Sequence, residues 1–362
     1  MYQLLKRILF LHDPEKVHDL FIFFGEFLGS LTIARTTVGY FCRYSHPALR
    51  TKVLGIDFEN PVGLAAGFDK DVRLMNIMPS VGFGFMEVGA ITRHPYEGNP
   101  GLRLLRLPKD KALIVYYGLK NIGAESVLKK IDKLHSSIPV GINIAKTNRA
   151  DIKGDKSVED YVGTYRMLGS YFDYVTLNIS CPNTQDGCTF QDPNLLGQLL
   201  NAIDKEVKNK PVFLKISNHL STEEVDDILG VVKKYKCVDG FVIANLSKRR
   251  DIINLKSSPE LLNKLPQGGI SGMPIQGIST DLIRYIYKKT GGKYVLVGLG
   301  GIFTAEDAYA KIKAGASLVQ LITGLIYGGP MTIKRINQGL VRLLEKDGYK
   351  NISEAIGRDF NP

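Results

Sequence analysis

Residues 294–324 read YVLVGLGGIFTAEDAYAKIKAGASLVQLITG. An apolar run of strand length, Tyr294–Val297, leads into the turn Gly298-Leu299-Gly300-Gly301 and then a helical pattern over Ala305–Ala314. A second apolar run, Leu318–Ile322, ends in Thr323-Gly324. Both runs are continuously hydrophobic rather than alternating, as strands covered on two faces are. A helix joining two such strands is the parallel βα unit.

Toward the N-terminus the same unit recurs. Apolar runs stand at Val62–Ala66, Gly84–Val88, Val140–Ala145, Tyr174–Asn178, Val212–Ile216 and Gly240–Ala244. Helical stretches such as Ala124–Leu134, Glu159–Gly169, Asn194–Lys208, Glu223–Tyr235 and Ser279–Lys289 lie between them. Eight βα units without a GxGxxG fingerprint predict an α/β fold closed as a (β/α)8 TIM barrel, not a doubly wound sheet. The barrel is assigned to 47–340, with an N-terminal helical segment at 1–46 and a C-terminal tail at 341–362.

Residues 1–46 read as two short helices, one opening with Asp13 as N-cap and Pro14 at its first position. The stretch Leu20–Ile33 is apolar, but it is fourteen residues long and interrupted by Glu26. A spanning helix takes about 20 residues. No small-residue cleavage site follows, which argues against a signal peptide. An apolar segment that lies on a membrane or caps a tunnel fits this pattern.

The chain has 362 residues, 44% hydrophobic and 23% charged, which excludes disordered and collagen-like classes. Its formal charge is +11, yet the cations are scattered; the densest cluster, Lys248-Arg249-Arg250, is followed at once by Asp251. That is no nucleic-acid footprint, and it suits anionic ligands or an anionic membrane surface better. The four cysteines form no CxxC pair and show no metal-ligand spacing, so reduced thiols are expected.

In a barrel the chemistry sits where the strands end at their C-termini. There the sequence places Gly67-Phe68-Asp69-Lys70, Asn143, Asn178, Ser180-Cys181-Pro182-Asn183, Lys215, Asn245 and the two glycine turns of the opening stretch. Gly-bearing turns after the last two strands suit a phosphate held by backbone N–H groups, although tight βα turns use glycine for geometry alone. Two strand-end lysines call for anionic or electron-rich partners; a salt bridge and a reducible flavin both qualify. Convergent asparagines offer donor and acceptor side by side, as a planar heterocycle requires. Cys181 is the candidate proton-transfer group, since a thiol near its ordinary pKa is partly thiolate at neutral pH. Cys42, Cys188 and Cys237 read as inert buried thiols. No His/Asp/Glu cluster suggests a metal.

The arrays Ala65-Ala66-Gly67-Phe68-Asp69-Lys70, Asn178-Ile179-Ser180-Cys181-Pro182-Asn183-Thr184 and Gly298-Leu299-Gly300-Gly301-Ile302 resemble the dihydroorotate dehydrogenase family. The resemblance runs from Asp13-Pro14-Glu15 to about Pro330. The N-terminal helices and the Gly98-Asn99-Pro100 stretch leading to Arg103 and Arg106 are similar to its membrane-associated, quinone-using class 2 branch. The resemblance implies FMN held by Ala66, Gly67, Lys70, Asn143, Asn178, Lys215, Gly272, Gly301, Thr323 and Gly324. It implies a substrate met by Lys70, Gly118, Leu119, Asn178, Asn183 and Asn245, with Cys181 and Lys70 as the catalytic pair. It further implies a quinone entering between the N-terminal helices, on a protein peripheral to the cytoplasmic side of a membrane.

Departures from the family pattern are present. Class 2 members usually carry serine where Cys181 stands, Ala90 and Ala244 replace threonines, and Ile322 replaces a tyrosine. The substrate loop, usually Asn-Arg-x-Gly-Phe-Asn, is Val115-Tyr116-Tyr117-Gly118-Leu119-Lys120. Two alternatives to dihydroorotate oxidation follow: a divergent paralogue acting on another small planar substrate, and a flavin-binding membrane-surface protein with little turnover.

Overall fold

A computed structural model describes residues 2–132, 135–180 and 190–360. Eight strands, β1 (Val62–Leu64), β2 (Phe85–Ile91), β3 (Val140–Ile144), β4 (Tyr174–Asn178), β5 (Val212–Ile216), β6 (Gly240–Ile243), β7 (Val295–Leu299) and β8 (Leu318–Leu321), form a closed barrel. All pairings are parallel and follow chain order, and β8 returns to β1 with Val319 opposite Val62. The (β/α)8 expectation is met. The apolar faces of the strands and of the surrounding helices form one continuous core.

Strand ends differ from the sequence reading. β2 runs on through Gly89 and Ala90 to Ile91, and β7 runs on through Gly298 to Leu299. Glycine there serves close packing rather than a turn. A Cβ on Gly298 would sit 3.1–3.2 Å from Ile283, Ala316 and Lys311.

The lower mouth is plugged by a hairpin, Thr51–Val53 with Ile56–Phe58, which stacks Phe58 edge-on against Phe85 at 5.3 Å between centroids. Over the upper mouth lies an antiparallel sheet the sequence reading missed. Leu104–Leu107 pairs with Ala112–Val115, which pairs with Gly269–Gly272. This sheet sets Val115 and the loop residues after it over the C-terminal ends of the barrel strands.

Residues 1–46 hold three helices rather than two: α1 (Tyr2–Leu9), α2 (Pro14–Ser30) and α3 (Thr32–Cys42). The Asp13 carboxylate caps α2, accepting from the backbone N–H groups of Glu15 and Lys16, both at 2.9 Å. Leu31 is extended and breaks the path, and Arg35 donates to the freed Gly29 carbonyl at 2.8 Å. Among the described residues no single helix is long and apolar enough to cross a membrane, and α2 and α3 meet at 110°. Phe21, Phe23, Phe24, Phe27, Ile33 and Phe41 are exposed on this pair.

At the other end, the helix Thr332–Asp347 runs through position 340 without a break. Val341, Leu344, Ile352 and Ala355 are buried in the barrel core, so the terminal segment packs on the barrel because it carries its own apolar face.

Candidate active site

The C-terminal ends of the strands open into a cavity of about 200 Å³. Ala66, Gly67 and Lys70 after β1, Asn143 in β3, Asn178 in β4, Lys215 in β5 and Asn245 after β6 all line it. So do Gly272, Gly301, Thr323 and Gly324 on one side, and Gly118 and Leu119 of the loop above. The structure thus brings together every sequence-predicted site residue within its described range. Cys181 and Asn183 lie outside the described residues.

Behind Asn143, inside the barrel, lies a buried polar network. The buried Glu87 accepts from Asn143 Nδ2 at 2.7 Å, Thr176 Oγ1 at 2.9 Å and Gln320 Nε2 at 3.1 Å. Asn143 Oδ1 is buried with no hydrogen-bond partner among the described residues. Next to it, Asn245 Nδ2 donates to Ser180 Oγ at 3.1 Å and to the Ser180 carbonyl at 3.3 Å. Glu87, Thr176 and Gln320 were missed in the sequence reading. A carboxylate or amide inside an otherwise apolar strand was the available signal, because such groups are buried only with partners.

One wall is built from glycine turns. Gly67 has φ +107°, and a Cβ there would find only Ile322, at 3.7 Å, so a side chain would project into the cavity. At Gly301, φ is +72° and a Cβ would lie 2.3 Å from the Gln276 Cβ, so the turn packs directly on the start of the preceding helix, Gln276–Thr290. Ser271 Oγ and Thr323 Oγ1 share a hydrogen bond at 3.0 Å. Thr323 and Gly324 open a helical turn whose first N–H groups have no acceptor within it. Together these turns and the start of this helical turn border one side of the cavity.

Opposite stands Lys70, whose Nζ lies 4.2 Å from the centre of the Tyr117 ring. Desolvation against the cavity walls pulls its pKa down to about 8, opposed by the negative charge of Asp71. Arg103 approaches the same ring at 5.8 Å and is held by Glu15 of α2 through bonds of 3.0 and 2.5 Å. Lys120 reaches Glu15 at 3.4 Å. The Tyr117 hydroxyl is buried without a partner among the described residues, and burial raises its pKa, so it remains a donor. Val115, half-buried, also faces the cavity.

A second, apolar cavity of about 410 Å³ lies beneath the N-terminal helices. Phe21, Phe24, Leu28, Leu74 and Ile77 line it, and Arg106 is a cation at its edge. His18, Phe68, Leu104, Leu113 and Ile326 line both cavities and form the wall between them. His18 Nε2 donates to the Phe68 carbonyl at 2.8 Å. Burial, then the charge of Lys70, lowers the His18 pKa to about 4, so the ring is neutral near pH 7. His18 was not anticipated from sequence, because only the fold of α2 over the barrel brings it to this wall.

Comparison with known proteins agrees with this geometry. Residues 48–344 match the family model for dihydroorotate dehydrogenase. A Nostoc protein named dihydroorotate dehydrogenase (quinone) is 43% identical, with 86% of this chain and 84% of that one covered. A Mycobacterium marinum protein of the same name is 37% identical, over 99% and 97%. The ligand-free dihydroorotate dehydrogenase structure from Eimeria tenella superposes with a TM-score of 0.85 at 31% identity, covering 97% of this chain and 100% of that chain. This chain belongs to the dihydroorotate dehydrogenase family, on its quinone-dependent branch.

Proposed function

We propose that this protein oxidises dihydroorotate to orotate with FMN as its flavin and passes the electrons to a quinone. The observation that carries the reading is the pair of cavities sharing one wall. One that carries strand-end lysines and asparagines meets a more apolar one roofed by exposed helices. A water-soluble anion and a lipid-soluble acceptor can thus approach one flavin from different sides.

The residues present fit a flavin mononucleotide. Asn143 offers a buried acceptor that has no partner among the described residues, Lys215 lies at the strand end beside Asn178, and the Gly67 side is open where a Cβ would obstruct. The side of the cavity bordered by Gly272, Gly301 and Thr323-Gly324 suits a terminal phosphate. When bound, the flavin supplies a hydride acceptor that can return electrons to the quinone.

The chain's own residues do the rest. Lys70 supplies a cation for the substrate carboxylate. Asn178 and Asn245, fixed through Ser180, hold the ring and stabilise charge that develops on its carbonyls. Gly118 and Leu119 border the carboxylate end with backbone. Cys181, which follows Ser180 in sequence, takes the proton from the carbon next to the C4 carbonyl, and Asn183 adds a further amide. Neutral His18 and Arg106 provide the polar contacts at the quinone's end of the apolar cavity. The exposed phenylalanines of α2 and α3 seat the protein peripherally on the cytoplasmic side of a membrane, drawn also by its positive charge.

One observation favours a second reading, a paralogue acting on another small planar substrate. Val115 gives the cavity a methyl surface where the family loop presents an amide. Turnover decides between them: purified protein with dihydroorotate and a soluble quinone analogue should form orotate and bleach the flavin in its absence. Flavin that is reduced only by other substrates would establish the paralogue.

A further inference from the structure

Asn143 is fully buried, and its amide nitrogen is committed to Glu87 at 2.7 Å. Its oxygen has no partner among the described residues, and the residue is among those lining the cavity. An amide can face a ligand with either edge; rotation by 180° exchanges donor for acceptor. What fixes the edge here is Glu87, two residues before Gly89, which sits opposite Asn143 in the β2–β3 register. Three donors, from Asn143, Thr176 and Gln320, converge on its two oxygens. With Thr176 and Gln320 both donating, the carboxylate has acceptors left for the Asn143 N–H and nothing to give its oxygen.

We propose that Glu87 is a positioning residue that selects the flavin by its pyrimidine imide: by holding the Asn143 amide nitrogen, it aims the Asn143 oxygen at the cavity as acceptor for a ring N–H. This rests on the flavin reading above. Oxidised isoalloxazine has one ring N–H, at N3, between two carbonyls. An inward acceptor at Asn143 matches that edge, whereas an inward amide nitrogen would oppose N–H with N–H. Glu87 touches neither flavin nor substrate in this scheme and acts through Asn143 alone, as a supporting residue behind a binding group does.

The test compares FMN with N3-methyl-FMN, which lacks the donor, in reconstitution of the flavin-stripped protein, with affinity read by quenching of flavin fluorescence. Wild type should prefer FMN by about tenfold or more, as a lost hydrogen bond to a buried acceptor requires. In Glu87→Gln the new amide can donate to the Asn143 oxygen and release its nitrogen inward. FMN affinity should then fall by about tenfold and the preference over the methyl analogue should collapse. The N3 resonance of 15N-labelled FMN should move upfield in the variant as the bond is lost. If melting shows that Glu87→Gln does not fold, Glu87→Asp, one methylene shorter, should narrow the preference in the same way. Wild-type selectivity preserved in the folded variant overturns the proposal. Wild type that binds FMN without discriminating overturns it too, while leaving the flavin reading standing. Wild type that binds neither flavin overturns both.

Discussion

Lys70 is the group whose charge state should control substrate affinity near physiological pH. Its pKa is lowered from the usual lysine value to about 8, chiefly because the cavity walls desolvate it. A lowered lysine pKa means the cation is present below that pH and lost above it. If only the cation binds the substrate carboxylate, the apparent dissociation constant scales with 1 + 10^(pH − 8). That factor is about 1.1 at pH 7 and about 11 at pH 9, a tenfold weakening over two pH units. Equilibrium binding of orotate to the oxidised enzyme measures this without involving the proton-transfer step. Lys70→Arg keeps its charge through this range and should bind with little pH dependence, while Lys70→Met should bind weakly at all pH values. Wild-type affinity constant from pH 7 to 9.5 would refute the assignment of Lys70 to the carboxylate. So would the same tenfold slope in Lys70→Arg.

Val115→Asn restores an amide beside the cavity, and a hydrogen bond to a charged group is worth about 1.5–3 kcal/mol, so kcat/KM for dihydroorotate should rise by roughly tenfold or more. A fall in kcat/KM would show that position 115 does not meet the substrate in this protein. Cys181→Ala should abolish dihydroorotate-driven flavin reduction and leave flavin binding intact, while Cys181→Ser should retain an activity that climbs with pH, since a hydroxyl is the weaker acid. Stopped-flow bleaching of the flavin checks both, and an alanine variant as fast as wild type would place the base elsewhere. Replacing the exposed Phe23, Phe24 and Phe27 together with serine should weaken sedimentation with anionic vesicles and slow quinone reduction, with flavin reduction by substrate largely retained. Equal loss of both half-reactions would assign these side chains to packing.

The sequence by itself determined the barrel and most of the site. Burial of a strand on two faces is written locally, as in Val212–Ile216 and Tyr174–Asn178, whose observed bounds equal the apolar runs. Strand order followed, because successive parallel strands joined by helices lie side by side. Lys70, Asn143, Asn178, Lys215 and Asn245 were legible because a polar residue at the end of a buried run has one open face to point to. Tertiary structure alone decided what those residues touch. Glu87 meets Asn143, Thr176 and Gln320 across sequence separations of 56, 89 and 233 residues, which only the closed register of β2, β3, β4 and β8 brings together. Pairing of Gly269–Gly272 with Ala112–Val115 over the mouth is equally remote in sequence. The neutral state of His18 is decided in the same way, by burial and by the charge of Lys70 that the folded α2 sets close to it. Local sequence specifies which face of an element is apolar; electrostatics and hydrogen bonding depend on distances between elements, and those exist only once the barrel has closed.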